Sequence, residues 1–247
     1  MSAVAAPGSS PLPRRSVPHL LAQLGGLGLL LLAAELLPRV FGSHDLATGL
    51  ANARDIVELE RSLGIANELE LARFGAEHGW IKTVGGALYV GLHVPVMAGT
   101  LLWVYAARPL AFPWFRMVFA LAMLLTVAGY VLLPTAPPRF LPAFAALTGA
   151  EPTDEGAVNT LAAFPSGHVV FAVVASWAPL CLLRSRWARA PWVLYPPFVA
   201  LLVVVTAHHW WLDVLAGIAV AVAARMLADR ISPRPPLRPP PAPPGHG

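Results

Sequence analysis

His209 and Asp213 stand four residues apart, a spacing that on a helix puts an imidazole and a carboxylate on one face. A carboxylate there can accept one ring N–H and fix the tautomer, leaving the lone pair of the other nitrogen exposed, as an oriented nucleophile requires. A helix-start ion pair has the same spacing, so the pair alone leaves both readings open. Residues 164–168 read FPSGH. Pro165 suits the first turn of a helix, where Ser166 and Gly167 would leave backbone N–H groups free to cradle an anion. His168 points into the same region, although a plain helix start with a capping serine would read alike. Residues 134–139, PTAPPR, end on Arg139. Its planar, always charged guanidinium suits bidentate phosphate binding, and the alternative role, an anchor to lipid headgroups, is itself a phosphate contact. Tyr130 is placed to hydrogen-bond into such a site or to sit in an interfacial belt. His208 points about 100° away from His209 and reads as packing or support. Trp210 and Trp211 read as interfacial belt aromatics.

These polar stretches interrupt a chain of 247 residues that is 57% hydrophobic and only 12% charged. A soluble domain carries roughly 25% charged residues, so the apolar surplus must face something other than water. About 20 apolar residues cross a bilayer. Six runs approach that length, at 17–37, 83–106, 112–133, 164–183, 192–207 and 210–228, the fifth being short. Arg14 and Arg15 before the first run could mark a signal peptide, but Glu35 and Pro38 come before any small-residue cleavage site. The single cysteine, Cys181, lies in an apolar run and has no intrachain partner.

The net charge of +4 is almost wholly arginine, since Lys82 is the one lysine. With six spans, Arg14, Arg15, Arg108, Arg116, Arg184, Arg186, Arg189, Arg225, Arg230, Arg234 and Arg238 fall on one side. Arg39, Arg54, Arg61, Arg73, Lys82 and Arg139 fall on the other, diluted among carboxylates. The positive-inside rule then makes both termini cytoplasmic and puts all three polar stretches at the outer face of the cell membrane. Between the first two spans, 51–79 is polar yet periodic and broken near Gly64, which predicts two short amphipathic helices at the outer interface. They could roof a site or shield helix ends. The expected fold is therefore all-α: a six-transmembrane-helix bundle at 17–228, with a disordered cytoplasmic N-terminus at 1–16. A proline-rich cytoplasmic tail follows at 229–247, where repeated proline forbids a helix.

The three stretches, in this order along six spans, resemble the type 2 phosphatidic acid phosphatase superfamily, with its motifs K-x6-RP, PSGH and SR-x5-H-x3-D. PSGH is intact at 165–168 and H-x3-D at His209 and Asp213, whereas Leu132 replaces the lysine and Leu202 and Val203 replace Ser-Arg. The P-x-x-PPR and HH-x3-D forms resemble the inositol phosphorylceramide synthase branch. The resemblance implies that His209 attacks phosphorus to give a phosphohistidine, Asp213 orients it and His168 protonates the leaving oxygen. Arg139 and the Ser166 and Gly167 amides would stabilise the developing charge. It implies no cofactor and no metal; histidines and an aspartate could bind zinc, but that leaves the phosphate cradle unexplained. The substrate would be a prenyl phosphate or diphosphate, a phosphatidate or a phosphoinositol lipid, the phosphoryl passing to water or to an alcohol. Membrane lipids are the other expected partners; nucleic acid is not expected, and a homo-oligomer stays open. A transporter is the reading from a different class. Transporters place ionisable residues near the midplane with repeat symmetry, whereas here they gather at one face and no repeat is visible.

Overall fold

The computed structural model describes residues 17–41, 45–149 and 161–232. The N-terminal extension and nearly all of the proline-rich tail, both expected to be disordered, lie outside the described residues. Ten helices follow in order: α1 (Val17–Phe41), α2 (Leu46–Ser62), α3 (Glu68–Glu77), α4 (Gly79–Gly91), α5 (His93–Ala107), α6 (Phe112–Leu132), α7 (Pro142–Thr148), α8 (Gly167–Leu182), α9 (Arg186–Val205) and α10 (Trp211–Ile231). A 3-10 turn, Pro138–Phe140, precedes α7. Among the described residues there is no strand, only a single parallel bridge between Thr135 and Ala162.

Three helices, α6, α9 and α10, are long and apolar enough to cross a membrane. The run expected as one span at 83–106 is two helices, α4 and α5, meeting at a bend of 41°. Pro95 explains the break: it has no N–H to give the Gly91 carbonyl, and its ring crowds that carbonyl. The apolar part of α1, at 18–34, and the 16 residues of α8 are shorter apolar helices. The fifth run looked short because its start is polar; with Ser185 as cap, α9 begins at Arg186 and reaches 20 residues.

The periodic segment after α1 does form two helices around Gly64, which turns the chain at φ 71°. The first begins at Leu46 rather than at 51, because the Asp45 carboxylate accepts the Ala47 and Thr48 amides. Gly49, Ala53, Ile56 and Glu60, spaced by three or four, make its buried stripe. Leu59, Leu63 and Phe74 point outward.

The centre of the bundle is where α6, α8 and α10 meet, with α9 on the far side of α8. Val118, Ala122, Val170, Ala221 and Ala224 are fully buried there. Small residues let these helices close up at the end that carries FPSGH. A Cβ on Gly217 of α10 would lie 2.8 Å from the Ser166 carbonyl oxygen and 3.3 Å from Val169 Cβ. A Cβ on Gly129 of α6 would overlap the Pro165 ring. The start of α8 is thus clamped between two neighbours, a rigid support for His168.

Candidate active site

Backbone hydrogen bonds bring the three polar stretches together at one end of the bundle. Thr135 N donates to the Leu161 carbonyl (2.7 Å) and Ala163 N to the Thr135 carbonyl (3.2 Å), tying 134–139 to the approach to α8. Arg139 N donates to the Ala207 carbonyl (3.0 Å), tying the same loop to the turn after α9. Ala207 is fully buried at φ 56°, a left-handed conformation strained for a residue with a Cβ. Ser166 N donates to the Asp213 carbonyl (2.9 Å), joining α8 to α10. The Ser166 amide, expected in an anion cradle, is therefore already engaged. Gly167 and His168, the first two residues of α8, have amides without an intrahelical acceptor and are the pair left for that role. The Tyr130 hydroxyl lies directly against Gly167, where any Cβ would overlap it.

His209 sits just before α10, not within it, and is 2% exposed. Its Nδ1 is 2.9 Å from the Ala163 carbonyl and 3.4 Å from Asp213 Oδ2. A carbonyl can only accept, so Nδ1 carries a proton, and in the neutral ring Nε2 holds the lone pair. Nε2 is buried and has no hydrogen-bond partner among the described residues. The expected tautomer is set, but chiefly by a backbone carbonyl; Asp213 Oδ2 is nearer to Trp210 N (2.8 Å), where it caps the helix. The other histidine, His168, has its ring centroid 5.9 Å from that of His209. Its Nε2–H donates to the Tyr89 carbonyl (3.0 Å).

Tyr89 of α4, which no motif singled out, is the hub of the cluster. Its ring stacks on His168 at 4.0 Å on one hand and on His208 at 3.7 Å on the other. Its hydroxyl lies beside the Arg139 guanidinium. His93, at the start of α5, stands edge-on to His168 at 4.3 Å. Burial, then the Arg139 guanidinium, pushes the His208 imidazole down to about 2, so His208 is neutral at physiological pH. Its Nδ1 pairs with the Thr206 hydroxyl at 2.9 Å. Burial also lowers Arg139, which Tyr89 opposes, and a guanidinium stays charged regardless.

Trp210 differs from the expectation of an interfacial aromatic. Trp210 is 1% exposed, its indole N–H donating to the Ala136 carbonyl (3.1 Å), because the turn beneath it must be packed to hold His209. Trp211 donates to the Asn67 side chain at 2.7 Å. A cavity of about 250 Å³ adjoins Arg139 and His208, walled otherwise by Gly75, Leu147, Val205 and other largely apolar residues of α3, α4, α7 and α9. A larger cavity of about 550 Å³ among α1, α5 and α6 touches none of these groups. Among the described residues no three His, Cys, Asp or Glu side chains are grouped to hold a metal ion.

The signal for His93 was in the sequence, since an ionisable side chain inside an apolar run is a functional candidate. Tyr89 and the Ala163 carbonyl had none. The arrangement offers an imidazole with an unpartnered lone pair, a second imidazole close to it, a partly buried cation and two free amides, which suits attack on a phosphoryl group. A family model described as PAP2 superfamily matches residues 54–227, a stretch holding every one of these groups. No match was found among curated proteins or among solved structures.

Proposed function

The chain belongs to the PAP2 superfamily, and we propose that it is a membrane lipid phosphatase acting through a phosphohistidine on His209. The observation that carries this reading is the His209 Nε2 lone pair, buried and unpartnered among the described residues opposite His168. Nε2 attacks phosphorus and forms the P–N bond while the bond to the lipid oxygen breaks. His168, protonated when the dianion binds, gives that oxygen its proton. Water then attacks phosphorus, the P–N bond breaks and His168 takes the water's proton, which yields phosphate and a lipid alcohol. Arg139 and the Gly167 and His168 amides hold the equatorial oxygens. No step calls for a metal or cofactor.

A second reading, transfer to an alcohol such as inositol, is favoured by the P-x-x-PPR and HH-x3-D forms of two motifs. The largely apolar wall of the cavity beside Arg139 favours a lipid chain over a polyol. The deciding experiment incubates purified protein with prenyl phosphate, phosphatidate and a phosphoinositol lipid, with and without inositol. Free phosphate, suppressed by vanadate, is the expected product. A new phosphodiester would establish transfer, and no turnover of any lipid phosphate would refute both readings.

The same reading has six spans (α1, the α4–α5 pair, α6, α8, α9 and α10), both termini in the cytoplasm and the site at the outer face, with α2 and α3 at the interface. The exposed Leu59, Leu63 and Phe74 support that interfacial position. In a Cys181→Ala background, a cysteine at exposed Glu58 is expected to react with an impermeant maleimide on intact cells. One at exposed Ser185 is expected to react only after permeabilisation. The opposite labelling pattern would turn the site to the cytoplasm.

A further inference from the structure

Three consecutive backbone amides open α10, and each donates to a different buried carboxyl group. Trp210 N reaches Asp213 Oδ2 at 2.8 Å, Trp211 N reaches Glu68 Oε1 at 3.4 Å and Leu212 N reaches Glu60 Oε1 at 2.7 Å. Glu60 and Asp213 are fully buried and Glu68 is 3% exposed. Carboxylates are welcome at a helix N-terminus, yet three of them side by side away from water cannot all be charged. Glu60 and Glu68 thus sit on adjacent amides of one turn, and Glu60 Oε2 is buried with no hydrogen-bond partner among the described residues. Two ionised carboxylates can only accept, so neighbouring buried carboxyls become partners when one of them carries a proton. The same helix that carries Glu60 holds the Arg139 loop: Asn52 Nδ2 donates to the Pro134 carbonyl (2.7 Å), and Ala136 N donates to the Gly49 carbonyl (3.0 Å). Helix α2 thereby grips both the phosphate-facing loop and the turn that follows His209.

We propose that Glu60 and Glu68 share a proton as a carboxyl pair and serve as positioning residues, holding the first turn of α10 so that His209 keeps its place. The proposal rests on the reading of His209 as the nucleophile. The groups facing Glu60 are Glu68 from α3 and Asp213 from α10, with His209 beyond Asp213. Arg54 and Arg61, on its own helix, are exposed. Burial first, and then the neighbouring Glu68 carboxyl, pushes the Glu60 carboxyl from its ordinary 4.5 up to about 8. The folded value lies above the unfolded one. The pair's stabilisation is therefore complete below pH 4.5 and is lost as pH rises through about 8. Above that, the charges on Glu60, Glu68 and Asp213 repel, and the turn behind His209 loosens.

Glu60→Gln is the informative variant. Its amide oxygen can still accept from Leu212 N and its NH2 can donate to Glu68, so the grip survives with no proton to lose. Full-length wild type, Glu60→Gln and Glu60→Ala are compared in detergent for kcat, KM and melting temperature between about pH 6 and about pH 9. Glu60→Ala is expected to lower kcat about 100-fold with KM little changed, the scale of a displaced reacting group. Glu60→Gln should recover most of that loss at neutral pH and keep its activity where wild type declines. Its melting temperature should stay level where that of wild type falls by about 3 °C or more. A Glu60→Gln profile superimposable on wild type in both activity and melting would overturn the shared proton. Undiminished kcat in Glu60→Ala would overturn the positioning role. If wild type turns over no lipid phosphate, the functional reading fails while the melting curves still test the pair.

Discussion

A His209→Ala variant is expected to lose turnover by about 10⁵-fold or more, the scale seen when a covalent nucleophile is removed. The lost atom is Nε2, whose lone pair is buried and unpartnered among the described residues. Asp213→Asn should be milder, lowering kcat by roughly 10- to 100-fold. The Ala163 carbonyl at 2.9 Å keeps the tautomer in place when the acceptor at 3.4 Å is neutralised, and asparagine can still cap Trp210 N. The double variant should be no worse than His209→Ala, because orientation has no value once the oriented group is gone. Rapid quench with a radiolabelled lipid phosphate checks the same point. Label should appear as an acid-labile, base-stable protein adduct in wild type and be missing in His209→Ala. Near-normal turnover by His209→Ala would move the chemistry elsewhere.

Arg139→Ala is expected to lower kcat/KM by about 10³-fold, comparable with the loss of a charge-stabilising donor from other transition states. Arg139 is partly buried, its guanidinium lies beside the Tyr89 hydroxyl, and its backbone N–H is fixed to the Ala207 carbonyl. Arg139→Lys keeps the charge but loses the fork, so it should recover at most about one tenth of the difference. Tyr89→Phe, which removes only the hydroxyl beside Arg139, should cost about 10-fold, mostly in kcat. Steady-state kinetics on one lipid phosphate distinguish these cases. Equal activity in Arg139→Ala and wild type would reduce Arg139 to a lipid anchor.

Much of the fold was legible because a simple rule holds in this chain: long apolar runs become helices. The rule does not say where a helix breaks, and Pro95 divides α4 from α5 by removing a single donor. The residues of the candidate site were legible to the extent that they were polar in apolar surroundings, as with Arg139, His168, His209 and Asp213. What escaped was everything contributed by tertiary geometry. A carbonyl such as that of Ala163 has no signature, since every residue has one. Tyr89 resembled any aromatic in a span. Glu60 and Glu68 looked like solvated charges on amphipathic helices until folding placed them on the first turn of α10. The Ser166 amide was misjudged for the same reason, because its acceptor lies 47 positions away at Asp213.

The bond from Ser166 N to the Asp213 carbonyl, with Gly217 pressed on the Ser166 carbonyl, welds the ends of α8 and α10 into one piece. His168 and His209 therefore cannot shift independently to suit a wider or narrower lipid. The wall of the cavity beside Arg139 and His208 is built differently, from α3, α4 and α7, with side chains such as Leu147 and the small Gly75. A lineage could thus trade one lipid for another by substitutions along that wall while leaving the reacting unit untouched. Directed evolution for new substrates should likewise collect its gains in α3, α4 and α7, and almost none between Pro165 and His168 or between His209 and Asp213.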